Sequence, residues 1–382
     1  MNAATAEYLR QRFSAYYQKA QISVPPALEQ REWGFLFFTT SKKSGMRRHM
    51  AFSSEEEVAT YLRTMVPAHV YYSSAYYAFP AAATMNEKVW TGADLIFDLD
   101  ADHIVHGAYD MMLARVRDET EKLLSMLTDE LGFRKQDISL FFSGGRGYHV
   151  HIRDIAVRGW GSPERREMVD YVCGTNPDPG VMLCAHQEQA GGWPLRYREA
   201  LSEYLGSIFS MEKAGAVKYL RGFEGIGKSS KLPAEFYARI PEYQKILSDP
   251  GSEMPQNRML RAILADENAD MQAWIREHAA LVDEPVSTDI KRLIRMPGSL
   301  HGGSGLRVTP VQPDELPDFD PLTDAVVFGD EKVAVDVSMD LSMPLLGETF
   351  DLQKGRCIVP EAVAVFLCCR GLGEFAGSRR GK

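Results

Sequence analysis

The segment DLIFDLD (94–100) constrains the fold of this chain more than any other stretch. Its apolar residues favour a strand, and a strand turns successive side chains to opposite faces. Phe97 and Leu99 therefore point together into a core, while Asp98 and Asp100 project together from the other face. Two adjacent carboxylates repel each other, and a hard divalent cation between them relieves that repulsion. Carboxylate oxygens suit Mg²⁺ or Mn²⁺, so the pair is a candidate metal site; an acidic strand end facing solvent is the alternative.

A second segment, ISLFFSGGRGYHVHI (138–152), reads as strand, tight glycine turn and strand. Its glycines allow backbone N–H groups to approach a ligand closely, and Arg146 adds a fork suited to phosphate oxygens. His149 and His151 share one face of the outgoing strand, opposite Tyr148, Val150 and Ile152. An ordinary hairpin would carry those histidines toward solvent. Ser143, Arg146 and His149 around the turn make an anion site the competing reading, and the residues leave both open.

A third segment, VDEPVSTDIKRLIRMPGSLHGGSGLRV (282–308), gathers Asp283, Asp289, Lys291, Arg292, Arg295 and His301. Spacing alone does not separate a surface of mixed charge from a site. RMPGSLHGGSG between β-prone flanks suggests a rigid loop presenting Arg295 and His301. A fourth, GFEGIGKS (222–229), fits the phosphate-loop pattern G-x-x-x-x-G-K-[ST]. That loop works only between a buried strand and a helix. AGAVKYLR upstream is a poor central strand and Pro233 interrupts the expected helix, so a loop between helices is favoured.

The rest of the chain sets these segments in an α+β architecture. An amphipathic N-terminal helix ends before Pro25 and Pro26; REWGFLFFTT (31–40), SKKSG and MRRHMAF (46–52) read as a hairpin. SSEEEVATYLRTMV (53–66) reads as a serine-capped helix, HVYYSSAYYAF (69–79) as β, and Tyr109 to Leu131 as a helix stopping at Gly132. Residues 155–280 are helix-rich, with a Pro/Gly-rich loop near 175–194. They read as a helical insertion in a core formed by 1–154 and 281–382. β character returns at LVDEPVS and GLRVTPV (305–311), followed by the acidic, proline-rich PDELPDFDPLTD, a last helix PEAVAVFLCCRGL (360–372) and a frayed basic tail, GSRRGK. Strands and helices mix without βαβ alternation, which disfavours a doubly wound sheet.

Composition narrows the function classes. Net charge is −9, from 43 basic and 52 acidic residues, which argues against a protein that coats nucleic acid by charge alone. An enzyme gripping phosphates with a few placed cations remains compatible. No window approaches the roughly 18 apolar residues of a membrane span, and the N-terminus lacks a signal-peptide core, so a cytoplasmic protein is expected. The five cysteines, Cys173, Cys184, Cys357, Cys368 and Cys369, include no C-x-x-C pair and read as small hydrophobes.

Taken in order, the D-x-D strand, SGGRGYH and R-x-P-G-S-L-H-G resemble the catalytic small subunit of archaeal/eukaryotic-type DNA primases. The resemblance runs from REWGF to PEAVAVFLCCRGL, and RREMVDYVCG looks like the archaeal branch. It implies a primase-type core of mixed sheet flanked by helices. It also implies that Asp98 and Asp100 are the metal-binding catalytic pair, with Asp283 as the third carboxylate and Asp289 as the runner-up. Ser143, Arg146, His149, Arg295 and His301 match nucleotide-phosphate positions; Glu32 and Arg48 match, more loosely, the initiation or nucleotide site. The family's zinc cluster after the D-x-D strand is incomplete here, since 101–131 holds only His103 and His106 and no cysteine; no structural zinc is expected. After His301, where a basic residue is common, stand Gly302, Gly303 and Ser304.

The implied reaction is synthesis of short RNA or DNA primers on single-stranded DNA by two-metal-ion nucleotidyl transfer from nucleoside triphosphates, with Mg²⁺ or Mn²⁺. A large primase subunit is the implied partner. Two other readings compete. A haloacid-dehalogenase-type phosphatase shares the DLIFDLD start but continues D-x-D-G-T, whereas Ala101 and Asp102 follow Asp100 here. A non-catalytic single-strand-binding subunit would need no metal.

Overall fold

The computed structural model describes residues 1–39, 45–104, 107–184, 191–227, 229–266 and 268–378. Two compact units emerge from it. One comprises Met1–Thr120, Arg134–Arg166 and Val282–Lys382; the other comprises Glu121–Phe133 and Glu167–Leu281.

The first unit holds the strands. Strands β1 (Trp33–Leu36), β2 (Arg47–Met50) and β3 (His69–Ser73) come first. They are followed by β4 (Ala75–Tyr77), β5 (Trp90–Ala93), β6 (Leu95–Asp100), β7 (Ile138–Phe142), β8 (Gly147–Ile152), β9 (Leu293–Arg295) and β10 (Thr309–Val311). Two four-stranded sheets result, with orders β2-β1-β3-β9 and β10-β7-β8-β6, and β4 pairs with β5. Every pairing among the described strands is antiparallel, so the α+β class holds. The β1–β2 hairpin forms as expected; its turn, residues 40–44 with Lys42 and Lys43, lies outside the described residues.

Alternation explains the second sheet. Leu95, Phe97 and Leu99 of β6, Tyr148, Val150 and Ile152 of β8, and Leu140 and Phe142 of β7 are all buried. The pairs Phe97↔Val150, Leu99↔Tyr148 and Phe142↔Tyr148 put these side chains on one face. The opposite face carries Asp98, Asp100, His149 and His151. Fully burying side chains of this size stabilises by about 1.5–3 kcal/mol each, and a one-residue slip of β6 would drive both aspartates into that core.

The helices follow local signals. Ala3–Lys19 is capped by the Asn2 side chain, which accepts from the Thr5 N–H, and buries Leu9, Phe13 and Tyr17. In Glu55–Met65 the Ser54 hydroxyl accepts from the Glu57 N–H, as the serine run predicts. The helix from Tyr109 to Ser125 continues as a π turn, Met126–Glu130, and stops before Gly132.

Within this unit the structure departs from the sequence expectations in three places. LVDEPVS is not β: Glu284–Ser287 is a short helix, opened by a proline in its first turn, where a missing N–H costs nothing. Residues 332–360 carry four unforeseen strands, β11 (Lys332–Val337), β12 (Leu341–Leu345), β13 (Glu348–Leu352) and β14 (Gly355–Pro360). The tail is not wholly frayed, because β15 (Gly373–Ser378) pairs with β11 in the sheet β14-β11-β15; residues 379–382 lie outside the described residues. Alternating Val333, Val335 and Val337, all buried, are the signal that marks β11.

The second unit is helical. Trp193–Ser210 contributes Trp193, Tyr197, Leu201 and Leu205 to a core shared with Ile240 and Tyr243 of Leu232–Leu247 and with Ile275 of Ala269–Glu277. AGAVKYL lies in the helix Lys213–Leu220, so no strand precedes GFEGIGKS. Pro233 sits in the first turn of its helix and opens it rather than interrupting it. Among the described residues the strand that a phosphate loop requires is absent; Lys228 itself, like residues 185–190 of the Pro/Gly-rich loop, lies outside the described residues. Among the described residues no helix is long and apolar enough to cross a membrane.

Candidate active site

The polar face of β6 and β8 forms one wall of a cleft of about 410 Å³. Asp98, Asp100 and His149 line it from these strands, Ser143, Gly145 and Arg146 from the β7–β8 turn, and Asp283, Arg292, Arg295 and His301 from the later segment. Tyr71 of β3 completes the lining named here. The three sequence segments singled out above thus meet in one place.

Each position has a local cause. Asp98 stands opposite His149 in the β6–β8 ladder, with Oδ1 3.4 Å from the His149 Nε2. β6 is an edge strand, and its free side is used by Asp283, whose backbone N–H donates to the Asp98 carbonyl at 2.7 Å. That bond brings the third carboxylate beside the pair. Asp289 does not line the cleft; its Oδ1 accepts from the Lys291 N–H at 2.8 Å. Of the two candidates for the third carboxylate, the cleft takes Asp283.

In the glycine turn the Ser143 hydroxyl accepts from the Gly145 N–H at 3.2 Å, and the Ser143 N–H donates to the Gly147 carbonyl at 2.9 Å. A Cβ on Gly147 would lie 1.9 Å from the Leu99 carbonyl oxygen, so only glycine lets β8 approach β6 here. Arg146 pairs with Asp102 and approaches the Asp100 Oδ1 at 4.0 Å. On the facing sheet, Tyr71 and Arg295 are cross-strand partners, and the guanidinium lies 5.0 Å from the Tyr71 ring centroid. The loop after β9 folds back through a bridge between Leu300 and Arg307 and presents His301.

Electrostatics set the protonation states. Burial pushes the Asp98 carboxyl up to about 7, with the charges of Asp100 and Asp283 acting in the same direction and Arg292 and Arg295 opposing them. Burial also pushes His149 down to about 3, helped by Arg295 and Arg292. His149 is therefore neutral, and its contact with Asp98 is not an ion pair. Its Nδ1 is buried without a hydrogen-bond partner among the described residues. His301 is held well below the usual histidine range, by burial first and then by Arg295. The alternative of solvent-facing histidines is excluded, since His149 and His151 are both buried and the His151 Nδ1 lies 3.3 Å from the Tyr72 hydroxyl.

The donor set fits a hard divalent ion of the Mg²⁺ type. Burial and then the neighbouring carboxylates raise the proton affinity of Asp98, and a cation would take the proton's place. Among the described residues no three His, Cys, Asp or Glu side chains already form a metal cage. Mg²⁺ commonly binds through one or two carboxylates, waters and substrate phosphates, and needs no such cage.

Glu32 and Arg48 lie together but do not line the cleft. Glu32 is fully buried, its Oε1 3.2 Å from the Arg48 Nε and its Oε2 3.5 Å from the buried Lys88 Nζ. His103 as a side chain, and His106 entirely, lie outside the described residues. Tyr71 and Arg292 were not legible as site residues. Arg292 stood in a visible basic cluster, but Tyr71 becomes visible only through its pairing with Arg295.

Carboxylates facing guanidinium and imidazole groups across a polar cleft suit reactions on phosphorylated substrates. Comparison with known proteins makes the class specific. Residues 97–313 match the family model of the DNA primase small subunit. The chain belongs to this family and is a catalytic primase subunit, a primer-synthesising nucleotidyltransferase. It is 54% identical to the DNA primase small subunit PriS of Methanoregula boonei, over 98% of this chain and 100% of that one. PriS of Methanocorpusculum labreanum is 53% identical over 99% and 100%, and PriS of Methanosphaerula palustris is 51% identical over the same shares. The phosphatase and non-catalytic readings find no support.

Proposed function

We propose that this cleft is the nucleotidyl-transfer site and that Asp98, Asp100 and Asp283 hold two Mg²⁺ or Mn²⁺ ions there. The observation that carries the proposal is geometric: Asp98, Asp100 and Asp283 line one cleft together with Arg146, Arg292 and Arg295. Bound divalent ions supply acidification of a 3′-hydroxyl and neutralisation of the departing pyrophosphate. Arg292 and Arg295 neutralise triphosphate charge on the opposite side of the cleft, and Arg146 does so from the glycine turn. His149 and His301, both neutral, donate N–H groups to phosphate oxygens without adding charge. Ser143 fixes the turn that carries Arg146. No structural zinc enters this scheme.

The substrates are nucleoside triphosphates paired on single-stranded DNA. A chain of net charge −9 holds a template and two nucleotides poorly unaided. A large primase subunit is the proposed partner that supports initiation.

The test is incorporation of labelled nucleotides on single-stranded template, with and without primer, in Mg²⁺ or Mn²⁺. Asp98→Asn and Asp100→Asn should each reduce incorporation by on the order of 10²–10³-fold with the fold intact. More than about a tenth of wild-type activity in either variant would remove the metal role. Co-expression with the large subunit should raise primer-free initiation far more than primer extension.

A further inference from the structure

His69 opens β3 and stands two residues before Tyr71. Residues two apart in a strand face the same side, and Arg295 lies across the ladder from Tyr71, so all three share one face. The Arg295 Nη1 donates to the His69 Nδ1 at 2.7 Å. The Gly302 N–H donates to the same nitrogen at 3.3 Å. A guanidinium has no acceptor, so His69 Nδ1 must carry its lone pair and the imidazole must be neutral. Burial, and then Arg295, push His69 down to about 3, in keeping with that state.

The loop is shaped to reach this nitrogen. A Cβ on Gly302 would lie 2.8 Å from both the Ala68 carbonyl oxygen and the His69 Nε2, so residue 302 must be glycine for the loop to close onto β3. His301 then sits edge-on to His69, ring centroids 4.9 Å apart. Its Nδ1 accepts from the Gly303 N–H and lies 3.2 Å from the Ser304 hydroxyl. That leaves His301 Nε2 as the N–H donor, facing the glycine turn, where a Cβ on Gly145 would lie 3.3 Å from it.

We infer that His69 is a positioning residue for the nucleotide-phosphate cleft: its Nδ1 ties the Arg295 guanidinium to the backbone of Gly302 and so aims Arg295 and His301 together. His69 does not line the cleft and acts through these two. The inference rests on the proposed phosphate role of Arg295. The close approach of residue 302 to Ala68 and His69 leaves no room for a side chain there.

The test compares His69→Phe, His69→Asn and Arg295→Ala in template-primed extension, reading the nucleotide KM, kcat and thermal midpoint of the full chain. Phenylalanine keeps a ring without an acceptor; asparagine keeps an acceptor close to the Nδ1 position. His69→Phe should raise KM about tenfold with kcat changed less than about threefold, the worth of one hydrogen bond to a charged group. His69→Asn should recover most of that loss. In the double variant, His69→Phe should add little once Arg295 is gone. A KM within about twofold of wild type for His69→Phe, or a His69→Asn as impaired as His69→Phe, overturns the inference. If Arg295→Ala raises KM and His69→Phe does not, only the role of His69 falls. If Arg295→Ala leaves KM unchanged, the phosphate reading falls and takes this one with it. Should His69→Phe fail to fold, His69→Gln carries the test, because its amide reaches toward Nε2 rather than Nδ1; an unchanged KM there overturns the inference.

Discussion

Asp283 donates its backbone N–H to the backbone carbonyl of Asp98 at 2.7 Å. This main-chain bond joins residues far apart in sequence and uses the open edge of β6, which would otherwise expose unpaired groups. It places the Asp283 side chain near the Asp98 and Asp100 pair without requiring like charges to attract. Burial first, and then the charges of Asp100 and Asp283, push the Asp98 carboxyl up to about 7.

A pH dependence of stability follows from that shift. Asp98 has its ordinary value, 3.8, in the unfolded chain and about 7 in the folded one. Between these values the folded state binds more protons, so this contribution is complete below the lower value and is lost as pH rises through the upper one. In the absence of divalent ions the melting temperature should fall from pH 5 to pH 8 more steeply for wild type than for Asp98→Asn. Parallel profiles by calorimetry would show that Asp98 titrates normally.

Arg292 should contribute to nucleotide binding, because it lines the cleft and its charge is felt by Asp98. Arg292→Ala should raise the nucleotide KM by about tenfold, as expected for one charge-assisted contact. Lys291→Ala is the control, since Lys291 is exposed and outside the cleft lining. Equal effects from both substitutions would mean that general surface charge, and not the cleft, sets the KM.

Gly147 should tolerate no side chain. Its Cβ would meet the Leu99 carbonyl oxygen at 1.9 Å and the Asp100 Cα at 3.0 Å, both backbone atoms of the strand that carries Asp98 and Asp100. Gly147→Ala should cost about 3 kcal/mol or more in urea unfolding, at the upper end of overpacking effects. A loss below about 1 kcal/mol would show that β8 can move away from β6 freely.

Arg31 should be essential to the start of β6. It is fully buried, its Nη2 lies 2.8 Å from the Asp94 Oδ2, and its Nη1 donates to the carbonyls of Ser73 and Ser74. The Tyr76 hydroxyl also donates to the Asp94 carboxylate at 2.5 Å. Arg31→Met removes one partner of a buried pair and should destabilise by about 3–5 kcal/mol. Hydrogen exchange should locate the loss at the β5–β6 junction, and protection there equal to wild type would contradict it.

Much of this protein was determined by the sequence alone. Period-two alternation in DLIFDLD and in GYHVHI decides which side chains enter the core, and so places Asp98, Asp100 and His149 on the opposite face. Serine and asparagine caps, Gly132 and the glycine turn are equally local, and the D-x-D strand, SGGRGYH and R-x-P-G-S-L-H-G carry the family resemblance. The choice of Asp283 over Asp289 is not local. Five residues lie between the two, and the bond to the edge of β6 brings Asp283, and not Asp289, into the cleft. Tyr71, Arg292 and His69 are likewise assigned by cross-strand pairing and loop closure. Glu32 and Arg48, adjacent to each other as the first hairpin requires, lie outside the cleft for the same reason: pairing inside a hairpin is written in the chain, but which sheet edge a distant segment meets is set by packing of the whole unit.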